Sequence, residues 1–147
     1  MKTMKNLKLF CLIITLVFFS GLKAQNPENW TKDQLMQPAE LAQLLKSGKD
    51  LPIIFSVGPG ALIPNSKNMG MAKDSINIAK LKKELAVLPK DARIVLYCGC
   101  CPFEHCPNVR PAISALKELN FTNYQLLNLS NNLKVDWIDK GYPVNKN

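Results

Sequence analysis

The chain has 147 residues, of which 47% are apolar and 20% are charged. These proportions are typical of one globular domain, and they exclude a disordered or fibrous chain and a pair of full-size domains. The formal net charge of +8 overstates the basic character, because four lysines and no acid lie in the first 24 residues. The other lysines are dispersed, so nucleic-acid binding is not predicted.

Residues 1–24 are predicted to be a cleavable secretory signal. A basic start precedes an apolar run over residues 9–19, and small and polar residues follow it before Gln25. The run is too short for a membrane-spanning helix, which needs about 20 residues. We therefore expect a cut after Ala24 and a periplasmic or secreted protein that meets a membrane only if the signal stays uncleaved. Cys11, inside the run, is expected to be an apolar filler.

Helices and strands are predicted to alternate along the rest of the chain. Residues 25–36 have no strong period and are expected to be a lead-in segment before a domain over residues 37–147. Apolar spacing, capping residues and prolines predict a helix from Pro38 to a cap at Gly48, a strand at 53–57, irregular chain at 61–73, a helix from Asp74 or Ser75 to 88, a strand at 93–98, a helix starting between Asn108 and Pro111, a strand at 124–129 and a helix at 133–140.

This order predicts an α/β fold with a central parallel sheet and helices on both faces. The segment 93–98 is apolar almost throughout, as expected for a strand that is covered on both sides. Trp137, in the last helix, is expected to pack in the core. Ligand sites in open parallel sheets gather at the carboxyl ends of the strands, so we expect the site at residues 97–111.

Four of the five cysteines lie in that stretch, and Cys98 comes first, where the central strand ends. The next helix directs its free N–H groups and its positive dipole end towards the loop. A thiolate there is stabilised, so its pKa is expected to fall, and Cys98 is the predicted nucleophile. The candidates for loop or substrate-binding residues are Gly99, Cys100, Cys101, His105 and Arg110. The candidates for a resolving or metal-ligating thiol are Cys100, Cys101 and Cys106.

Several segments together resemble the rhodanese-like domain. The strand at 94–98, the helix end and turn at 116–121, and the ending at 136–144, with its Trp-x3-Gly-Tyr-Pro-Val pattern, stand in that family's order. Residues 63–66 are similar to the family's Ile-Pro-Gly-Ala segment, and the pair at 120–121 is similar to its Gly-Phe. The resemblance covers about residues 36–144.

The resemblance implies a sulfurtransferase. In that family the cysteine after the central strand takes a sulfane sulfur from a donor such as thiosulfate or mercaptopyruvate, holds it as a persulfide, and passes it to a thiophilic acceptor. The match gives this role to Cys98. It implies a small sulfur donor and an acceptor that is a small molecule or a thiol protein, and it requires no cofactor.

The chain departs from the family pattern in three places. The loop after Cys98 is longer than usual, which implies a cradle of different shape. Residues 56–58 read Ser-Val-Gly instead of a triplet like Asp-Val-Arg, and Glu104 and His105 stand where the family often has a basic residue. Phosphatase relatives of the fold need an arginine at the position of Glu104, so phosphatase activity is not predicted.

The clustered thiols allow an alternative function, a metal-binding or thiol-disulfide redox module on the same fold. Cys98 and Cys101 form a Cys-x-x-Cys pair, and a neighbouring thiol could resolve an oxidised Cys98. Thiolates together with His105 could hold zinc or copper(I), and one short loop is expected to wrap copper(I) with two or three thiolates more easily than it builds a tetrahedral zinc site. A disulfide that pins the loop is a further alternative in an exported protein.

The remaining polar residues of the loop have two interpretations each. His105 is the only histidine, and it either is solvated or tunes a thiol. Arg110, at the helix start, either holds an anionic substrate or reaches solvent. Glu104 is expected to be a surface residue, because its charge would repel an anionic donor.

Overall fold

The computed structural model describes residues 30–145. The predicted signal and the first part of the predicted lead-in segment lie outside these residues. Among the helices described, none combines the length and the apolar character needed to cross a bilayer.

Five parallel strands form one sheet. Its spatial order is β1-β5-β4-β2-β3, which confirms the predicted central parallel sheet. In chain order the strands are β1 (Leu35–Met36), β2 (Ile53–Ser56), β3 (Ser66–Asn68), β4 (Ile94–Tyr97) and β5 (Tyr124–Leu127). All four residues of β4 are buried, because β4 has a strand on each side and packed layers on both faces.

Helices cover both faces, as predicted, and side chains of the strands alternate between two cores. On one face, α1 (Pro38–Ser47) and a π-helical turn (Lys134–Ile138) cover a core that contains Tyr97 and Trp137. On the other, α2 (Ser75–Ala86) and α3 (Val109–Glu118) pack against the remaining positions of the sheet. This alternation follows from the two-residue period of a strand.

Two strands and some boundaries differ from the prediction. β1 lies in the predicted lead-in segment, and β3 lies in the stretch predicted to be irregular. β1 has two residues, too few to show a period, and β3 is a polar edge strand that pairs only with β2. The predicted strands at 53–57, 93–98 and 124–129 each run one or two residues too long, and the last helix is a five-residue π-helical turn.

Local conformations explain several of the quoted motifs. Asn65 and Asn120 have φ of 62° and 59°, and they stand where the resembled family has glycine. Asparagine tolerates this left-handed conformation better than most residues with a side chain. Trp137 is fully buried, which confirms the core prediction, and its Nε1 donates to the Pro143 carbonyl at 2.7 Å. The Trp-x3-Gly-Tyr-Pro-Val ending therefore closes on itself.

Candidate functional site

Cys98 follows the last residue of β4, at the carboxyl edge of the sheet and between β2 and β5. It is 2% exposed. Gly58, two residues beyond the end of β2, lies directly against it, because a Cβ built on Gly58 would be 2.6 Å from Cys98 Sγ. The Ser-Val-Gly departure at residues 56–58 thus places the one residue without a side chain where the thiol needs room.

Asn108, the residue before α3, links this thiol to the rest of the site. The side chain is 2% exposed, and its Oδ1 accepts a hydrogen bond from the Lys73 backbone N–H at 3.0 Å. That bond fixes the orientation of the amide, so Nδ2 faces Cys98 Sγ and donates to it at 3.5 Å. The contact favours a negatively charged sulfur.

The pKa of Cys98 is lowered to about 5 by hydrogen bonds that converge on its sulfur. The largest contribution is a hydrogen bond from the Cys106 thiol, and the Cys100 backbone N–H, the Asn108 amide and the Cys100 thiol contribute as well. Burial acts in the opposite direction, because it penalises the charged form. Cys98 is therefore a thiolate at neutral pH, which is the reactive form of cysteine.

Two of the neighbouring thiols, those of Cys100 and Cys106, hold their protons. Burial, together with hydrogen bonds to Cys101 and Cys98, raises the pKa of Cys100 to about 12. The pKa of Cys106 is raised as well, first by its hydrogen bond to Cys98 and then by burial. Cys98 is thus the charged one of these three residues, and the thiols of Cys106 and Cys100 donate to it.

The four thiols converge on one point. Their Sγ atoms, from Cys98, Cys100, Cys101 and Cys106, all lie within 4.8 Å of one another. Cys98 Sγ and Cys100 Sγ are 3.3 Å apart, and Cys100 Sγ and Cys101 Sγ are 3.2 Å apart. All four thiols are free, since these separations are hydrogen-bond contacts and far exceed the roughly 2.05 Å of a disulfide. Such a cluster is compatible with a soft metal ion.

His105 does not join this group. It ends a 3-10 turn (Phe103–His105) and is exposed, and the cluster that could hold a metal consists of the four cysteines. The cluster thus forms without His105, and metal ligation by this residue stays a prediction. The expected preference for copper(I) held by two or three thiolates stays a prediction as well, because four thiols close together do not show which ion binds.

The loop between Cys98 and α3 is anchored at several points. Gly99 lies against Leu133, which a Cβ on Gly99 would approach to 3.0 Å, and the Leu133 N–H donates to the Gly99 carbonyl at 3.0 Å. The Phe103 N–H donates to the Leu129 carbonyl at 3.1 Å. The ring of Trp30 meets that of Phe103 edge-on, with centroids 6.4 Å apart. The longer loop is thus a packed structure held to the end of the sheet.

Exposed polar side chains border the loop. Arg110 lies in the first turn of α3, and its Nη2 donates to the Glu104 carbonyl at 3.4 Å. Arg110 therefore helps to hold the loop. Glu104 is exposed, as expected. Anion binding by Arg110 and thiol tuning by His105 stay predictions.

The hydrogen bond from Asn108 to Cys98 predicts how alkylation of Cys98 depends on pH. With a pKa of about 5, Cys98 is charged above that pH, so alkylation of the reduced protein by iodoacetamide should be nearly constant from pH 6.5 to 8.5 and should fall as the pH drops through 5. Asn108→Leu removes one donor to the charged form, so the midpoint should rise by about one pH unit. The readout is peptide mass mapping of the first alkylated residue.

Asn128→Leu is the matched control for this experiment. Asn128 follows β5 at the same edge of the sheet, but its side chain donates to Gln37. The midpoint of this variant should stay at the wild-type value. An unchanged midpoint in Asn108→Leu would contradict the role given to Asn108.

No model of a known protein family matches the sequence, and no significantly similar curated protein was found. Solved structures resemble the fold. The BH2092 protein from Bacillus halodurans is 19% identical, with a TM-score of 0.58 and coverage of 77% of each chain. The rhodanese-like domain of Anabaena Alr3790 is 17% identical, with a TM-score of 0.54 over 78% of this chain and 80% of the other.

A third similar structure is the single-domain sulfurtransferase RDL2 of Saccharomyces cerevisiae. It is 12% identical, with a TM-score of 0.54 over 77% of this chain and 94% of that one. At these identities the similarity concerns the fold. The chain has the rhodanese-like fold, and the resemblance drawn from the sequence motifs is confirmed at that level.

Proposed function

We propose that this rhodanese-like domain is an exported sulfurtransferase that carries sulfane sulfur as a persulfide on Cys98. One observation carries the proposal. Cys98 Sγ lies at the carboxyl end of the central strand, packed against Gly58 and hydrogen-bonded by Asn108. A nucleophilic sulfur at this edge of a parallel sheet occupies the usual place of a reactive group in such folds.

The reaction needs one thiolate and no cofactor. The Cys98 thiolate attacks the outer sulfur of thiosulfate, the S–S bond of the donor breaks, and sulfite leaves with the electron pair. The product is a Cys98 persulfide anion. A thiophilic acceptor, such as cyanide or the thiol of a partner protein, then attacks the terminal sulfur, and the Cys98 thiolate is restored. Each step is a displacement at sulfur, so no external oxidant or reductant is consumed.

The surroundings of Cys98 favour an anion in each state of this cycle. α3 begins at Val109, directly after Asn108, so the positive end of its dipole lies beside the residue that contacts the sulfur. The Cys100 backbone N–H also donates to Cys98. These fixed donors suit a persulfide anion as well as a thiolate.

The charged groups at the loop surface bear on which sulfur donor the site accepts. Arg110 and His105 are exposed cations or potential cations near the loop, and we expect them to guide a small anionic donor. Export to the periplasm or the cell exterior remains part of the proposal, supported by the pattern of residues 1–24. The acceptor is then a small thiophilic molecule or a partner protein that presents a reduced thiol.

A single-turnover assay tests the proposal. The reduced protein is incubated with thiosulfate, freed of small molecules and mixed with cyanide, and about one thiocyanate per chain should form. Brief alkylation at pH 6 modifies mainly Cys98, since its pKa is about 5 whereas that of Cys100 is about 12. This treatment should remove the thiocyanate yield. Thiocyanate that still forms from protein alkylated at Cys98 would overturn the proposal.

A further inference from the structure

Three of the four clustered thiols have no covalent part in the proposed transfer, which needs one nucleophilic sulfur. Cys100, Cys101 and Cys106 nevertheless hold their Sγ atoms within 4.8 Å of that of Cys98 and of one another. Cys98 and Cys106 are each 2% exposed, so half of the cluster is embedded in the domain. To donate hydrogen bonds to Cys98 Sγ, the loop would need fewer thiols than the three that it places there.

The sulfur separations fit a tetrahedral ion. Four thiolates bound to zinc at about 2.3 Å lie about 3.8 Å from one another. Two of the pairs here are separated by 3.3 Å and 3.2 Å, and no pair by more than 4.8 Å. A tetrahedral ion therefore needs these two pairs to move apart slightly and any wider pair to close by at most about 1 Å. Four sulfur ligands in this geometry are typical of Zn²⁺ and of iron–sulfur centres.

Backbone hydrogen bonds already hold the loop around the cluster in place. The loop is anchored by the Phe103 N–H to the Leu129 carbonyl and by the Leu133 N–H to the Gly99 carbonyl. Asn108 Nδ2 donates to Cys98 Sγ, and such an outer hydrogen bond orients and stabilises a metal-bound thiolate. A metal would therefore meet ligands whose backbone is fixed beforehand, which lowers the entropy cost of binding.

We propose that Cys98, Cys100, Cys101 and Cys106 form a closed four-sulfur site for Zn²⁺, and that metal and sulfane sulfur exclude each other on Cys98. The second half rests on the proposed sulfur transfer. Binding replaces the thiol protons, which leave to solvent, and changes no oxidation state. A coordinated Cys98 has donated its electron pair to the ion and cannot attack a donor, whereas a persulfide on Cys98 places an extra sulfur atom among the ligands.

The test is a metal titration of the reduced protein, first freed of persulfide with cyanide. We expect one Zn²⁺ per chain by elemental analysis, and Co²⁺ should give the intense charge-transfer and d–d absorption of a tetrahedral thiolate site. Cys101→Ser and Cys106→Ser should each weaken Zn²⁺ binding at least about tenfold. Cys101 is the partly exposed ligand, so its replacement keeps the test valid if Cys106→Ser misfolds.

His105→Ala is the matched control, because His105 belongs to the same loop but lies outside the cluster. Its Zn²⁺ affinity should equal that of the wild type. An unchanged affinity in Cys101→Ser, or Co²⁺ spectra without thiolate charge transfer, would overturn the four-sulfur site. Binding of Cu⁺ alone, with equal strength in wild type and Cys101→Ser, would overturn it in favour of a site with fewer thiolates.

Sulfur loading of the Zn²⁺ form separates this inference from the proposed function. The zinc-loaded protein should take no sulfur from thiosulfate until a chelator removes the ion. Loading in the presence of bound zinc would overturn mutual exclusion. If the metal-free protein fails to load, the proposed sulfur transfer is wrong, and the metal affinities still decide the four-sulfur site independently.

Discussion

Cys98→Ala is expected to reduce thiocyanate formation from thiosulfate and cyanide by at least about 10³-fold, because the variant lacks the sulfur on which the persulfide forms. The change removes only the sulfur of a 2% exposed side chain and adds no bulk, so the variant should remain folded. Steady-state turnover of the metal-free protein gives the ratio, and circular dichroism checks the fold.

The matched control is Cys101→Ala, which removes a thiol of the same loop while leaving Cys98 and its contacts to Asn108 and Gly58 in place. This variant should retain activity within a few-fold of the wild type. Similar losses in both variants would show that the cluster acts as a unit, as a thiol-disulfide module would. Unchanged turnover in Cys98→Ala would show that Cys98 does not carry the sulfur.

Gly58→Ala is expected to have the second largest effect. Its Cβ would be 2.6 Å from Cys98 Sγ and 3.4 Å from Cys98 Cα, which is closer to the sulfur than van der Waals contact permits. The sulfur must rotate away, and it then loses its alignment with Asn108. We expect sulfur loading to fall about 10²-fold, as for other misplacements of a reacting atom by about 1 Å, and the pKa of Cys98 to rise.

Pro59→Ala provides the control for this effect, because Pro59 is the next residue and is exposed. Its sulfur loading should match that of the wild type. A larger side chain, as in Gly58→Val, should reduce loading further than alanine does. Equal loading in Gly58→Ala and the wild type would contradict the close approach of Gly58 to the thiol.

The central part of the fold could be predicted because its signals are local. The apolar run at β4 identifies a buried strand, and Gly48, with φ of 67°, ends α1 where a C-terminal glycine cap was predicted. The edge strands gave no such signal. β3 consists of polar, half-buried or exposed residues, and β1 has two residues that pair with β5.

The site was predictable where sequence neighbours become spatial neighbours. Cys98, Cys100, Cys101 and Cys106 belong to one loop, and their clustering confirms the expectation drawn from their spacing. His105 belongs to the same loop but lies outside the cluster: it ends a 3-10 turn and is exposed, whereas Cys106 is buried.

Gly58 and Asn108 were missed as site residues because their roles depend on distant parts of the chain. Gly58 reaches Cys98 through the register that places Ser56 beside Tyr97. That register could have been inferred by pairing the two apolar strands in parallel and comparing the residues that follow each. In the sequence, Asn108 indicates only a possible helix start. Its contact with Cys98 depends on the course of the loop and on the Lys73 backbone.

The most direct test of the central claim is the intact mass of the protein after reduction, after thiosulfate and after cyanide. We predict a gain of one sulfur atom with thiosulfate, its loss with cyanide, and no gain in Cys98→Ala. No gain in the wild type, or a gain that persists in Cys98→Ala, would contradict a persulfide on Cys98. A loss of two hydrogens per chain in place of the gain would indicate a disulfide, and the loop would then be a redox module.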